Sequence, residues 1–331
     1  MDARTIPLAP GTSSRRGLLV ALATGTLLIA TTGGHVHGAE AAFPVDLVDD
    51  EGTTMTLETE PQRIASLSPA NTEIVFALGA GDRLVGGTDF DDHPPEAVAL
   101  PDVATFSGVI MEQLVDLEPD LVLAGGNNLT SAADIERMRE LGYPVLVVYA
   151  PDVPTVLADI DLIGRAIGEP EAAEALTAEM SADLDAISEA ATGTGSAPRT
   201  YYELDYFEGA TFGPALDSFV ADMVELAGGT AVTTGDPVQF EMPLERLVQA
   251  DPEVIVLGDA SYGVCPTDVA ARPGWEGMTA VVAGAIRPVE DIPVTRPGPR
   301  LAEGLAGLAL AIHPDLELPD APAAPADCAP A

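Results

Sequence analysis

Few side chains in this sequence are equipped for chemistry. There are four histidines, His35, His37, His93 and His313. The first two close an apolar N-terminal segment. His313 precedes Pro314 at a predicted helix end, where a cation suits the helix dipole. His93 stands in Asp89-Phe90-Asp91-Asp92-His93-Pro94-Pro95. Three carboxylates and an imidazole are donors that could hold a divalent metal. The same residues also read as a polar loop closed by two prolines, and no second histidine serves a cleft segment, so no metal site is assigned. The two cysteines, Cys265 and Cys328, lack zinc-type spacing and could pair as a disulfide in an oxidising compartment. The carboxylates are too abundant, at 53, for any acid/base dyad to stand out. All 14 basic residues are arginine, so Gly125-Gly126 and Gly228-Gly229 cannot belong to a lysine-bearing phosphate loop. ATP hydrolysis by this chain is therefore not expected, and no nucleophilic triad is visible.

The aromatic residues carry more information because they make up only 5% of the chain. Phe90, Phe106, Tyr206, Phe207, Phe240 and Tyr262 all fall in predicted loops. Rigid apolar surfaces on loops suit a cleft that grips a flat organic ligand, so these six are the candidate ligand-binding residues. They could instead tuck back onto their own lobe.

The elements that would position them alternate. In the first half, strands are expected at Arg63–Leu67, Leu84–Gly86, Leu121–Ala124 and Val145–Val148, separated by helices after Ser68, over Met111–Leu117 and over Ile135–Leu141. A helical stretch follows over 153–191, broken at Gly168-Glu169-Pro170. Its apolar residues recur at helical spacing, as in Val156, Ile160, Ile163 and Ile167. A second series begins at Arg199, with strands at Thr200–Leu204, Val254–Leu257 and Ala285–Val289. Helices are expected near Ser218–Leu226, Leu244–Gln249 and Arg300–Ile312. Glu112 to Leu123 and Leu244 to Val256 share one pattern of short helix, proline turn and buried strand. The expected fold is α/β: two Rossmann-like lobes joined by a long helix, with the ligand cleft between them. The lobes would span 43–152 and 192–314, the interlobe helix 153–191, and an Ala/Pro/Asp-rich, disordered tail 315–331.

Net charge of -39 over 331 residues repels nucleic acid and anionic lipid. It fits a high-salt habitat or a codon bias towards Arg, Asp and Glu, and specifies no function. Residues 1–42 read as an export signal. Arg15-Arg16 directly precedes an apolar run, Leu18 to Ala30, and Ala39-Glu40-Ala41 could be cut. The arginine pair resembles a twin-arginine signal; an uncleaved anchor is the alternative.

One stretch is more specific. Arg63-Ile64-Ala65-Ser66-Leu67-Ser68-Pro69-Ala70-Asn71-Thr72-Glu73-Ile74, with Val85-Gly86-Gly87-Thr88-Asp89, Pro94-Pro95, Arg272-Pro273-Gly274-Trp275 and Arg296-Pro297-Gly298-Pro299-Arg300, resembles the substrate-binding proteins of cobalamin and ferric-siderophore ABC importers. The resemblance runs from Pro61 to Pro314. It implies a non-enzymatic, cofactor-free receptor outside the cytoplasm, working as a monomer. Such a receptor captures a corrinoid between its lobes and delivers it to a membrane permease served by ATPase subunits. It also implies one exposed glutamate on each lobe for docking on that permease, placed by motif at Glu73 and Glu245. A ferric siderophore is the second ligand and heme a third. A ligand sensor or a metal-dependent enzyme on the same scaffold is a further reading. Phe106 and Phe240 stand where the cobalamin branch often has tryptophan.

Overall fold

The computed structural model describes residues 43–319. The expected export signal, Cys328 and most of the tail lie outside them. The chain enters through a hairpin of β1 (Val45–Val48) and β2 (Thr54–Leu57). The first lobe then runs β3 (Ile64–Ser66), α1 (Pro69–Ala77), β4 (Leu84–Thr88), β5 (Asp102–Thr105), β6 (Gly108–Val109), α2 (Met111–Asp116), β7 (Leu121–Gly125), α3 (Ala132–Glu140) and β8 (Val145–Val148). Its sheet has the order β6-β5-β4-β3-β7-β8, parallel except for β6. Strands β3, β7 and β8 are buried at every residue. They carry no alternation, as a parallel sheet covered on both faces requires.

Two helices connect the lobes, α4 (Val153–Ile167) and α5 (Pro170–Thr192). Asp152 caps α4, accepting from the Thr155 N–H at 2.9 Å. Gly168 ends it in the left-handed conformation, at φ 84°, where a side chain would be strained. Thr177 then donates to Asp161 at 3.3 Å. Sixteen residues of continuous helix would span about 24 Å, so α5 folds back along α4. The helical connection foreseen as one broken stretch is thus a helical hairpin.

The second lobe contains β9 (Arg199–Glu203), β10 (Asp205–Phe207), β11 (Ala210–Phe212), α6 (Phe219–Leu226), β12 (Thr230–Ala231), β13 (Glu241–Met242), α7 (Leu244–Ala250), β14 (Val254–Leu257), α8 (Pro266–Ala270), α9 (Thr279–Ala283), β15 (Ile286–Pro288), α10 (Asp291–Thr295) and α11 (Leu301–Ile312). A parallel sheet, β12-β9-β14-β15, forms its centre, and β10-β11-β13 makes a small antiparallel sheet beside it.

The lobes share a structural signature. Arg63, just before β3, donates to the Leu117 and Glu118 carbonyls at the end of α2. Arg199, opening β9, donates to the Ala250 and Asp251 carbonyls at the end of α7. A left-handed residue follows each helix, Glu118 at φ 45° and Asp251 at φ 46°. A guanidinium there satisfies carbonyls that the helix leaves unpaired. Both sheets have separate cores on one face, around Leu114 and Met138 in the first lobe and around Leu247 and Trp275 in the second. On the other side a single core crosses between them, from Ile64 and Leu146 through Ile160 and Leu184 to Val224 and Leu305.

Candidate functional site: a cleft between two lobes

A cleft of 1080 Å³ opens where the two lobes meet. Its walls come from segments that follow the C-terminal ends of parallel strands. Asp89 and Phe90 follow β4, Gly126 to Leu129 follow β7, and Tyr149 follows β8; opposite them, Tyr262 follows β14 and Asp291 follows β15. Open α/β sheets bind ligands at such ends, because the loops there are free to vary while the sheet fixes their bases.

Of the six aromatic residues nominated by sequence, Phe90, Phe240 and Tyr262 line the cleft. Phe106 and Phe207 do not. Phe106 is 91% exposed at the tip of the β5–β6 hairpin and Phe207 is 62% exposed at the turn of β10–β11. The Tyr206 ring is engaged elsewhere, because the Arg272 guanidinium lies over it at 3.7 Å and also faces the Trp275 ring at 4.8 Å. Arg272 and Glu203, both buried, form a two-pronged ion pair, with one contact at 2.9 Å. Asp259 is buried nearby, beside Glu203. Burial, followed by the Glu203 charge, holds its carboxyl above the usual range.

Glu73 requires a correction. The family resemblance makes it an exposed docking acid, but it is only 3% exposed. Arg300 grips it through two contacts, at 2.6 and 2.9 Å, and Arg296 adds a third at 2.6 Å. Both arginines belong to the second lobe's segment after α10, so Glu73 on α1 is the centre of a clasp between lobes. Arg296 also reaches Asp92 at 2.6 Å. Glu245, by contrast, is exposed in the first turn of α7. Its counterpart is Glu112. Each glutamate lies six residues before the left-handed residue that follows its helix. Glu112 is exposed. The residues two and three positions after each glutamate match as well: Leu114 and Leu247 are fully buried, and Val115 and Val248 are exposed.

Several cleft residues have no obvious sequence signal. Asn71 is embedded in α1 and donates to the Ala124 carbonyl. Asn127 and Asn128 adopt left-handed backbone, at φ 52° and 64°. Two asparagines after a Gly-Gly at a strand end were a usable hint, since Asn tolerates that conformation. Asp159 reaches the cleft from α4 and is 6% exposed. Burial is the main reason its carboxyl is pushed up to about 8; Asp50, charged and hydrogen-bonded to it, adds to the shift, as does Asp152. His93 does not line the cleft. Among the described residues no group of three or more His, Cys, Asp or Glu is placed to hold a metal ion.

Two α/β lobes on a helical connection, with a large cleft at their strand ends, define a bilobal solute-binding protein. The sequence profile of the Periplasmic binding protein family matches residues 64–290, and the chain belongs to that family, whose members work outside the cytoplasm. It is 32% identical over 311 residues to an ABC transporter substrate-binding lipoprotein of Bacillus subtilis, covering 91% of this chain and 98% of that one. It is 33% identical over 287 residues to a cobalamin-binding protein of Halobacterium salinarum, covering 82% and 75%. Among solved structures, the vitamin B12 binding protein of Vibrio cholerae superposes with a TM-score of 0.66 at 21% identity, over 76% of this chain and 96% of that one. A heme-binding protein of Roseiflexus superposes equally well, at 0.68 and 24%, over 76% and 98%. At those identities the two superpositions speak for the fold alone.

Proposed function

We propose that this protein is the solute receptor of an ABC importer and that it carries a corrinoid, without catalysing any reaction. The observation that carries this reading is the cleft itself. Its 1080 Å³ lies just above the about 300–1,000 Å³ usual for small-molecule sites, and Phe90, Phe240 and Tyr262 give it aromatic walls on both lobes. A large, flat, amide-fringed macrocycle matches that size and surface, and the likeness to the Halobacterium cobalamin-binding protein supports it. The test is titration calorimetry of the exported form in high salt against cyanocobalamin, a ferric trihydroxamate and hemin. One-to-one binding of cyanocobalamin alone is expected. Binding of the iron chelate or hemin alone would replace the ligand and leave the receptor reading intact. Phe240→Ala and Phe90→Ala should each weaken cobalamin binding about tenfold, or about 1.4 kcal/mol. Phe106→Ala and Phe207→Ala should leave it unchanged.

Docking on the permease is assigned to Glu112 and Glu245. They are exposed, occupy equivalent positions on the two lobes, and each has an exposed valine one helical turn further on. An isolated surface ion pair contributes only about 0.2–1 kcal/mol, but two at matched sites fix orientation. Reversing both charges should abolish uptake in cells and leave ligand affinity unaltered. Undiminished uptake would remove both residues from the docking surface.

A further inference from the structure

Six aspartates line the cleft: Asp89, Asp91, Asp92, Asp159, Asp217 and Asp291. Only one cation, Arg296, accompanies them among the described lining residues. That cation is already committed, since its contacts at 2.6 Å are to the carboxylates of Glu73 and Asp92. A solvated surface charge faces water, whereas Asp91 and Asp159 are 7% and 6% exposed within the cleft. The aspartates also differ in what occupies them. Asp91 accepts from Thr72 and twice from Thr88, and Asp291 accepts from Tyr202 and Thr295. Asp89, after β4 of the first lobe, and Asp217, just before α6 of the second, are exposed acids that line the cleft from opposite sides. Asp217 stands on left-handed backbone at φ 56°, a conformation that Asp tolerates better than most residues.

A ligand carboxylate entering this cleft would meet like charges at the exposed Asp89 and Asp217 and, among the described lining residues, find no free guanidinium to pair with. Like-charge juxtaposition across a binding surface is a strong source of discrimination. Amide N–H groups and cationic centres would instead meet acceptors. We infer that the cleft selects neutral or cationic, hydrogen-bond-donating chelates and turns away carboxylated or otherwise anionic ones, with Asp89 and Asp217 as the specificity-determining side chains. The carboxyls of Asp91, Asp159 and Asp291 are all held above their usual range, chiefly by burial. Arg296 acts the other way on Asp91 and Asp291 without cancelling the effect of burial.

The inference deepens the corrinoid reading by naming which corrinoids enter, and the experiment separates the two. The full exported protein is titrated at pH 7 and one salt concentration with two matched pairs of probes. The first pair is cyanocobalamin and a corrin whose side-chain amides have been hydrolysed to carboxylates. The second pair is a neutral ferric trihydroxamate and a trianionic ferric tris-catecholate. The amidated corrin should bind at least tenfold more tightly than the carboxylated one. Asp89→Asn with Asp217→Asn should narrow that gap at least threefold, mainly by improving the carboxylated ligand. Asp217→Asn alone should narrow it in part. Equal or tighter binding of the carboxylated corrin would overturn the inference and leave the corrinoid reading standing. Binding of the hydroxamate over the catecholate, with neither corrin bound, would sustain charge selection and sink the corrinoid reading. A gap that persists unchanged in both variants would remove Asp89 and Asp217 as its cause.

Discussion

At the scale of single residues, buried carboxylates set the protein's response to pH. Asp159 is held up to about 8 from 3.8. Below pH 4 it is protonated in both the folded and unfolded chain, and its contribution is fully present. As pH rises the unfolded chain releases the proton freely while the folded chain retains it. The contribution therefore falls away through the window from about 4 to about 8. Asp159→Asn should be more stable than the parent by at least about 1 kcal/mol at pH 8 and should show no such gain at pH 4. Urea midpoints at the two pH values, in the same salt, check this. The Glu203–Arg272 pair makes the opposite case. Removing one partner strands a buried charge, so Arg272→Ala should cost about 3–5 kcal/mol, read as a lowered denaturation midpoint. This pair also explains a residue that sequence reading could not place. Tyr206 sits in a loop-like stretch of sequence, as a ligand-gripping aromatic would, yet a guanidinium 66 residues away covers its ring. Nothing local encodes that contact.

At the scale of elements, legibility followed continuity. Strands β3, β7, β8 and β14 are runs of apolar residues between turn signals, and their positions could be read directly. The two-residue strands β6, β12 and β13, and the β10–β11 hairpin, owe their existence to pairing partners and left no periodic signal. The helical hairpin lay between. Gly168-Glu169-Pro170 marked a break, but reversal of direction depends on how α5 packs on α4. The repeat of helix, turn and strand in the two halves was visible in the sequence, and it places Glu112 and Glu245 at equivalent positions. Packing of α11 on α10 supplies a test at this scale. A Cβ at Gly304 would collide with the Pro293 carbonyl. Because backbone cannot move aside as a flexible side chain does, Gly304→Ala should cost about 1–3 kcal/mol. It should also disturb the neighbouring Arg296 and Arg300, so thermal stability should fall together with ligand affinity.

At the scale of the whole molecule, the lobes are tied in two places, through the core that runs along α4 and α5 and through the clasp on Glu73. Movement on ligand capture is thereby confined to a small range. Glu73→Gln leaves two guanidiniums without their shared counter-charge and should lower stability by about 3–5 kcal/mol. Its radius of gyration by small-angle scattering should rise, whereas Arg296→Gln, which leaves Arg300 on Glu73, should change both less. Because Glu73 is buried, added salt should not reproduce the effect of Glu73→Gln. The clasp also imposes a schedule on biosynthesis. Glu73 leaves the ribosome more than two hundred residues before Arg296 and Arg300, and α11, which packs against α5, follows them. Until they emerge, a half-made receptor has one wall of its cleft, an unfinished shared core and no fastening. Ligand retention therefore becomes possible only near the end of translation.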